Sequence, residues 1–136
     1  MEKTKQLSVF LENKTGRINQ VARILGDNGI NMHAFSVAET ADFGIIRMIV
    51  SDVELASKVM KEAHFAVRIT EVVCIKCSNS AGALSEILDV LANANVFIEY
   101  MYAFSEGDTA RVVIRPTDLE LCLKVLNENH CDVISV

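Results

Sequence analysis

The sequence predicts an α+β protein made of two β-α-β-β-α-β units in tandem. Three observations carry that reading: one stretch of sequence occurs twice, apolar residues recur at strand and helix spacing in the same order in each copy, and equivalent helices share their start signals. The duplication is the most informative. Asp52-Val-Glu-Leu-Ala-Ser-Lys-Val-Met-Lys-Glu-Ala-His64 aligns with Asp118-Leu-Glu-Leu-Cys-Leu-Lys-Val-Leu-Asn-Glu-Asn-His130, and the same offset of 66 positions superimposes Asn13-Lys-Thr-Gly16 on Asn79-Ser-Ala-Gly82. The 136 residues thus divide into halves, 1–71 and 72–136, each near the lower limit for burying an adequate core alone, so the halves are expected to share a core or dimerise. An enzyme seldom repeats its catalytic centre within so short a length, whereas a module that binds something where like units meet needs a second copy.

The first copy opens with alternating Leu7, Val9 and Leu11, a strand signal, and reaches a turn at Glu12-Asn-Lys-Thr-Gly16. Beyond it Ile18, Val21, Ala22 and Leu25 fall at helical spacing, as do Leu84, Ile87, Leu88 and Leu91 in the second copy, so a helix of about three turns is expected to begin at each glycine. Asn28-Gly29 supplies a left-handed stop, and Asn95 does so in the second copy. Two hairpins follow, Ile30–Glu39 with Ile45–Val50, and Phe97–Ser105 with Arg111–Arg115. The second helix of each unit is announced by a capping box, Ser51-Asp-Val-Glu54 and Thr117-Asp-Leu-Glu120, in which the hydroxyl is expected to cap an amide while the glutamate reaches back. Closing strands are expected from Ala66 to about Glu71 and from Asp132 to Val136, completing two ferredoxin-like units joined without a Gly/Ser/Pro linker. Two helices cover only one face of such a sheet. Ile45–Val50 and Val96–Phe104 carry apolar residues in both parities, so part of the second face should be covered as well, by the other repeat or by another chain.

Apolar residues make up 51% of the chain and aromatics 6%, with no Trp, so burial rests on aliphatic side chains. A net charge of −5 without a basic run lacks the footprint of a phosphate-backbone binder, and nucleic acid is set aside. The N-terminal residues lack the apolar core of a signal peptide and no stretch reaches membrane-spanning length, so a soluble cytoplasmic protein is expected. The four cysteines do not recur at matching repeat positions, which excludes a shared disulfide framework.

Two segments are candidate binding elements. In the turn ending at Gly16, the first helical amides of Arg17, Ile18 and Asn19 lack partners within their own helix, and with the helix dipole they suit a carboxylate. The same turn also reads as a plain helix start; Asn79 and Gly82 repeat it. Gly29-Ile-Asn-Met32 enters a strand after the helix, and the Asn31 carboxamide can donate and accept, although it can equally satisfy its own turn. Cys74-Ile-Lys-Cys77 resembles a redox or metal pair, yet in a strand residues i and i+3 face opposite sides, so two structural cysteines are expected. His64 and His130, repeat equivalents, are expected to complement their helix C-termini. His33, whose counterpart is Glu99, reads as a surface or interface residue. No phosphate-binding glycine loop, zinc-protease motif or nucleophile elbow is present, so no catalytic residue is named and no cofactor or metal is expected.

A β-α-β-β-α-β unit with Asn-x-x-Gly-x-Ile/Leu opening its first helix and Asn-Gly-Ile-Asn-Met leading into its second strand resembles the ACT domain. The match runs through Asn13, Gly16, Arg17, Ile18 and Gly29 to Asn31 in the first copy and through Asn79, Gly82 and Leu84 in the second. The resemblance covers essentially the whole chain and implies a stand-alone pair of regulatory modules that bind amino acids. It further implies sheets paired side by side, with an amino acid between the first loop of one module and the second strand of its neighbour. Carried onto this chain, Asn13, Thr15, Gly16, Arg17, Ile18, Gly29, Ile30, Asn31 and Met32 would line one pocket, with Asn79, Ala81, Gly82, Ala83 and Leu84 forming the second loop. Tyr100 or Tyr102 would face the first pocket. The second copy departs from the pattern at Asn95 and Phe97, which stand where the first has Gly29 and Asn31. The function expected is a non-catalytic sensor that binds a free amino acid and signals to a regulated enzyme or to a second copy of the chain in a homodimer. Its alternatives are an assembly or regulatory-subunit module without a ligand of its own, and a small metal carrier or enzyme using Cys74 and Cys77.

Overall fold

A computed structural model describes residues 2–12, 15–39 and 43–135. The elements run β1 (Thr4–Glu12), α1 (Arg17–Asp27), β2 (Met32–Glu39), β3 (Phe43–Val50), α2 (Val53–Glu62), β4 (Ala66–Ser78), α3 (Ala83–Asn93), β5 (Ile98–Glu106), β6 (Thr109–Pro116), α4 (Leu119–Glu128) and β7 (Asp132–Ile134). They form two compact units, one holding Lys5–Thr70, the other the chain from Glu71 onward with the N-terminal residues up to Thr4. The closing strand of the first copy and the opening strand of the second are a single strand, β4, in which both units share.

Each unit has the α+β ferredoxin-like plan. The first orders its strands β2-β3-β1-β4 and the second β5-β6-β4-β7. The pairing registers also repeat: Leu7 lies opposite Met48 and Val9 opposite Ile46, just as Val73 lies opposite Ile114 and Ile75 opposite Val112. A bulge falls between Met32 and Ala34 and again between Ile98 and Tyr100, so His33 and Glu99 are equivalent bulge residues on edge strands.

Burial explains why these strands and helices associate. In the first unit Leu7, Val9, Ile46 and Met48 pack with Val21, Leu25, Ala56 and Met60; in the second Val73, Ile75, Val112 and Ile114 pack with Ile87, Leu91, Cys122 and Leu126. Each Leu, Ile, Val or Met among them contributes about 1.5–3 kcal/mol on leaving water. Gln6, Ser8, Ala34 and Ile49, which alternate with the helix-facing residues, are buried too, as are Cys74 and Val113 in the second unit, in keeping with the mixed parity of the sequence.

Two local expectations are corrected, the apolar face of the first helix and the capping box. The helix α1 turns Val21, Ile24 and Leu25 to the core, leaving Ile18 and Ala22 exposed. The N-caps of α2 and α4 are Asp52 and Asp118, whose carboxylates accept from the amides of Leu55 at 3.1 Å and Leu121 at 3.0 Å. Glu54 and Glu120 do not reach back but pair with Lys5 at 3.2 Å and Lys3 at 2.7 Å. His64 and His130 close their helices through the backbone, at φ 69° and 57°, with the following amides of Phe65 and Cys131 donating to Met60 O and Leu126 O.

Candidate functional site

Gly16 and Gly82 each stand immediately before a helix in the left-handed region, at φ 88° and 89°. A Cβ at either would meet no atom within 4 Å, so it is the backbone angle and not crowding that calls for glycine there. Each carbonyl accepts the first helical hydrogen bond, from Gln20 N at 3.0 Å and Glu86 N at 3.1 Å, and neither position carries a side-chain cap. The amides that follow therefore have no partner inside their helix and point outward with the positive end of the dipole. In the second unit the Ala83 amide donates to Ser80 O at 3.2 Å, which leaves Leu84 and Ser85 to present the outward amides.

Beside each helix start lies a cleft, of about 210 Å³ in the first unit and about 230 Å³ in the second. The first is walled by the end of β1, the first turn of α1, the end of β2 and the beginning of β3. Its Leu11, Glu12, Ile18, Val37, Ala38, Glu39 and Gly44 recur in the second as Cys77, Ser78, Leu84, Ala103, Phe104, Ser105 and Ala110. Ile18 and Leu84, 45% and 38% exposed, are apolar side chains of an amphipathic helix that face the cleft instead of the core. The charged lining differs. Arg17 reaches across to Glu12 at 3.3 Å and Gln20 at 3.0 Å, and its guanidinium lies 6.0 Å from the Phe65 ring centre, whereas Ala83 stands at the equivalent position.

Of the remaining candidates Asn79 lines the second cleft, and the others are placed elsewhere in each unit. Gly29, at φ 67°, ends α1, and Ile30 is buried beneath it with its amide on Leu25 O at 2.9 Å. The Asn31 backbone is fixed to Ser51, donating to Oγ and accepting from N, both at 2.9 Å, while its side chain is exposed; Met32 is half-buried against the core. These four lie at the far end of an 11-residue helix from Gly16, about 16 Å away, so one unit does not bring its own Gly16 and Asn31 together. Asn95 repeats the Gly29 geometry at φ 59°. Asn79 braces the β5–β6 turn, its amide on Asp108 O at 2.7 Å and its carboxamide donating to Gly107 O at 3.1 Å. Asn13 lies outside the described residues; Thr15 and Ala81 are exposed turn residues. Tyr100 and Tyr102 sit half-buried on β5 opposite Arg115 and Val113 and line neither cleft.

The profile of the ACT domain pair matches residues 2–135. This chain belongs to that family. The ACT pair is 50% identical to a Bacteroides thetaiotaomicron protein of known crystal structure, with a TM-score of 0.93 over 97% of this chain and 92% of that one. Regulatory subunits of aspartate kinase share its fold. The one from Thermus thermophilus, in ligand-free form, is 14% identical with a TM-score of 0.66 over 91% of each chain. That from Thermus flavus is 10% identical with a TM-score of 0.63, covering 96% of this chain and 94% of its own. None of the curated proteins matches the chain, and no helix among the described residues is long and apolar enough to cross a membrane.

In this ACT pair Cys74 and Cys77 do not converge. Cys77 packs toward the helices of the second unit with Val73 and Ile75, while Cys74 occupies the alternate parity and is fully buried. Burial pushes the Cys74 thiol up to about 11, against a smaller pull from Arg111, and the Cys122 thiol up to about 11 with a further push from Asp118; neither is poised as a nucleophile. Among the described residues no three His, Cys, Asp or Glu side chains are gathered to hold a metal ion. What the sequence reading missed is the far wall of each cleft, from Val37–Glu39 and Ala103–Ser105, which strand pairing brings to the helix start. The signal available was the exposed apolar position two residues after each glycine, Ile18 and Leu84.

Proposed function

We propose that this ACT pair is a non-catalytic regulatory protein, its modules 1–71 and 72–136, that binds a free amino acid beside the glycine-led helix starts and passes its occupancy to a partner protein, a regulated enzyme or a second copy of the chain. The observation that carries the proposal is the recurrence, in both units, of an open cleft next to uncapped first-turn amides. Those amides would receive the carboxylate, and the cleft the side chain. A volume of about 210–230 Å³ suits a molecule smaller than the drug-sized ligands that fill pockets of about 300–1,000 Å³. The Gly29–Met32 segment, at the other end of α1, can join such a ligand only when a different module presents it. The regulatory role named for the aspartate kinase subunits supports the same reading, and a cytoplasmic setting fits a sensor of free amino acids. A thermal-shift screen against the standard amino acids tests it: a ligand at about 100 times its Kd adds about 2.7 kcal/mol of stability. The absence of any shift at millimolar concentrations would overturn the proposal.

A further inference from the structure

The two clefts share a backbone and differ in chemistry. Three positions change their formal charge between them: Glu12, Arg17 and Glu39 in the first unit answer Ser78, Ala83 and Ser105 in the second. An uncharged side chain entering the first cleft would strip water from the Glu12–Arg17 ion pair and from the Glu39 carboxylate and return no hydrogen bond for the water displaced, which is unfavourable. In the second cleft it would meet the apolar surfaces of Leu84, Ala103, Phe104 and Val112 and displace water only from uncharged groups, the serine hydroxyls and the Asn79 carboxamide. Resting on the amino-acid reading above, we infer that the second cleft is the binding site for an amino acid with an uncharged side chain, and that the charged lining of the first excludes that ligand.

The protein carries a reporter for this assignment. Cys77 is half-buried in the wall of the second cleft, and the first has Leu11 in its place. Cys74 and Cys122 are fully buried, and Cys131, half-buried outside the cleft, serves as the internal reference. The full-length reduced protein is treated with iodoacetamide, and alkylation of each cysteine is followed by peptide mass spectrometry. The competitors are L-alanine, L-valine, L-leucine and L-threonine on one side and L-lysine, L-arginine, L-aspartate and L-glutamate on the other. At least one uncharged amino acid, at ten times its Kd, should slow Cys77 alkylation roughly tenfold by occupancy and leave Cys131 unchanged; the charged set should leave both unchanged. Ser105→Glu, which installs the first cleft's carboxylate at an exposed position, should weaken that ligand roughly tenfold or more, and Val37→Trp in the first cleft should leave it unaffected. An amino acid that stabilises the protein without shielding Cys77, or whose binding is lost in Val37→Trp and kept in Ser105→Glu, overturns this assignment while sparing the proposed function. Protection by the charged set alone overturns the selectivity. Failure of every amino acid to stabilise the protein overturns the proposed function itself.

Discussion

Gly16 and Gly82 hold the same left-handed turn, within one degree of φ, yet the next residue is Arg17 in the first unit and Ala83 in the second. The same contrast runs through both clefts. Positions that set the backbone are matched: the bulges at His33 and Glu99, the helix ends at Gly29 and Asn95, the paired registers of the sheets. Positions that line the space are not, with Glu12 answered by Ser78 at the equivalent position and Glu39 by Ser105. A backbone in the left-handed region tolerates few residue types, whereas a half-exposed wall tolerates almost any. The framework is therefore duplicated and the chemistry individual, and each unit can be perturbed against the other as its own control.

The largest effect should come from the matched core leucines. Leu25 and Leu91 are repeat equivalents, 0% and 1% exposed, in clusters of the same plan. Leu25→Ala and Leu91→Ala should each cost about 2–5 kcal/mol, the transfer loss plus the cavity left behind. Urea unfolding of the two variants checks this. Losses within about 1 kcal/mol of each other would support equal packing of the two cores; a much cheaper Leu91→Ala would mean that the second core collapses onto the vacancy.

Alkaline pH should separate the units. Cys74 and Cys122 belong to the second, and the first has Ser8 and Ala56 at those positions. A thiol whose folded pKa is raised holds its proton more tightly in the folded state, so its stabilisation is complete below its ordinary value of 9.0 and is lost as pH rises toward about 11. The rise from 9.0 to about 11 corresponds to a loss on the order of 2 kcal/mol for each thiol by about pH 10.5. Urea unfolding near neutrality and at about pH 10.5 should show this loss, and Cys122→Ala should remove the share carried by Cys122. An unchanged pH dependence in that variant would assign the alkaline loss to other groups.

Elements whose signals lie within a few residues were legible in the sequence: the strands, the four helices, the glycine turns and the stop at Asn95. Two readings went astray because neighbouring residues offered equivalent solutions. In α1 the stripes Ile18-Val21-Ala22-Leu25 and Val21-Ile24-Leu25 both satisfy a helical period, and only packing against α2 and the sheet selects the second, which frees Ile18 for the cleft. The wall formed by Val37–Glu39 lies about 20 residues from Gly16 in the chain and reaches it only through the register of β2 on β3 and of β3 on β1. Nothing local encodes that proximity. Of the candidate residues, Arg17, Ile18, Asn79 and Leu84 came together with a cleft, while Gly29–Met32 went to the opposite end of the helix.

The smallest effect concerns the caps, where adjacent residues compete for one role. Ser51 and Asp52 can each offer an oxygen to the first turn of α2, and the structure gives the amide of Leu55 to Asp52, leaving Ser51 Oγ to accept from Asn31 N. Asp52→Ala and Asp118→Ala should each cost about 1 kcal/mol, the usual loss of an N-cap. Glu54→Ala removes only an exposed pair with Lys5 and should cost less than about 0.5 kcal/mol. Under a Ser-x-x-Glu box the order would reverse, with the glutamate and serine changes costing more than the aspartate change. Ser51→Ala adds a distinct outcome, because the lost oxygen serves the segment leading into β2 and not the helix. Its cost should appear as faster amide exchange at Asn31, with Leu55 protection kept.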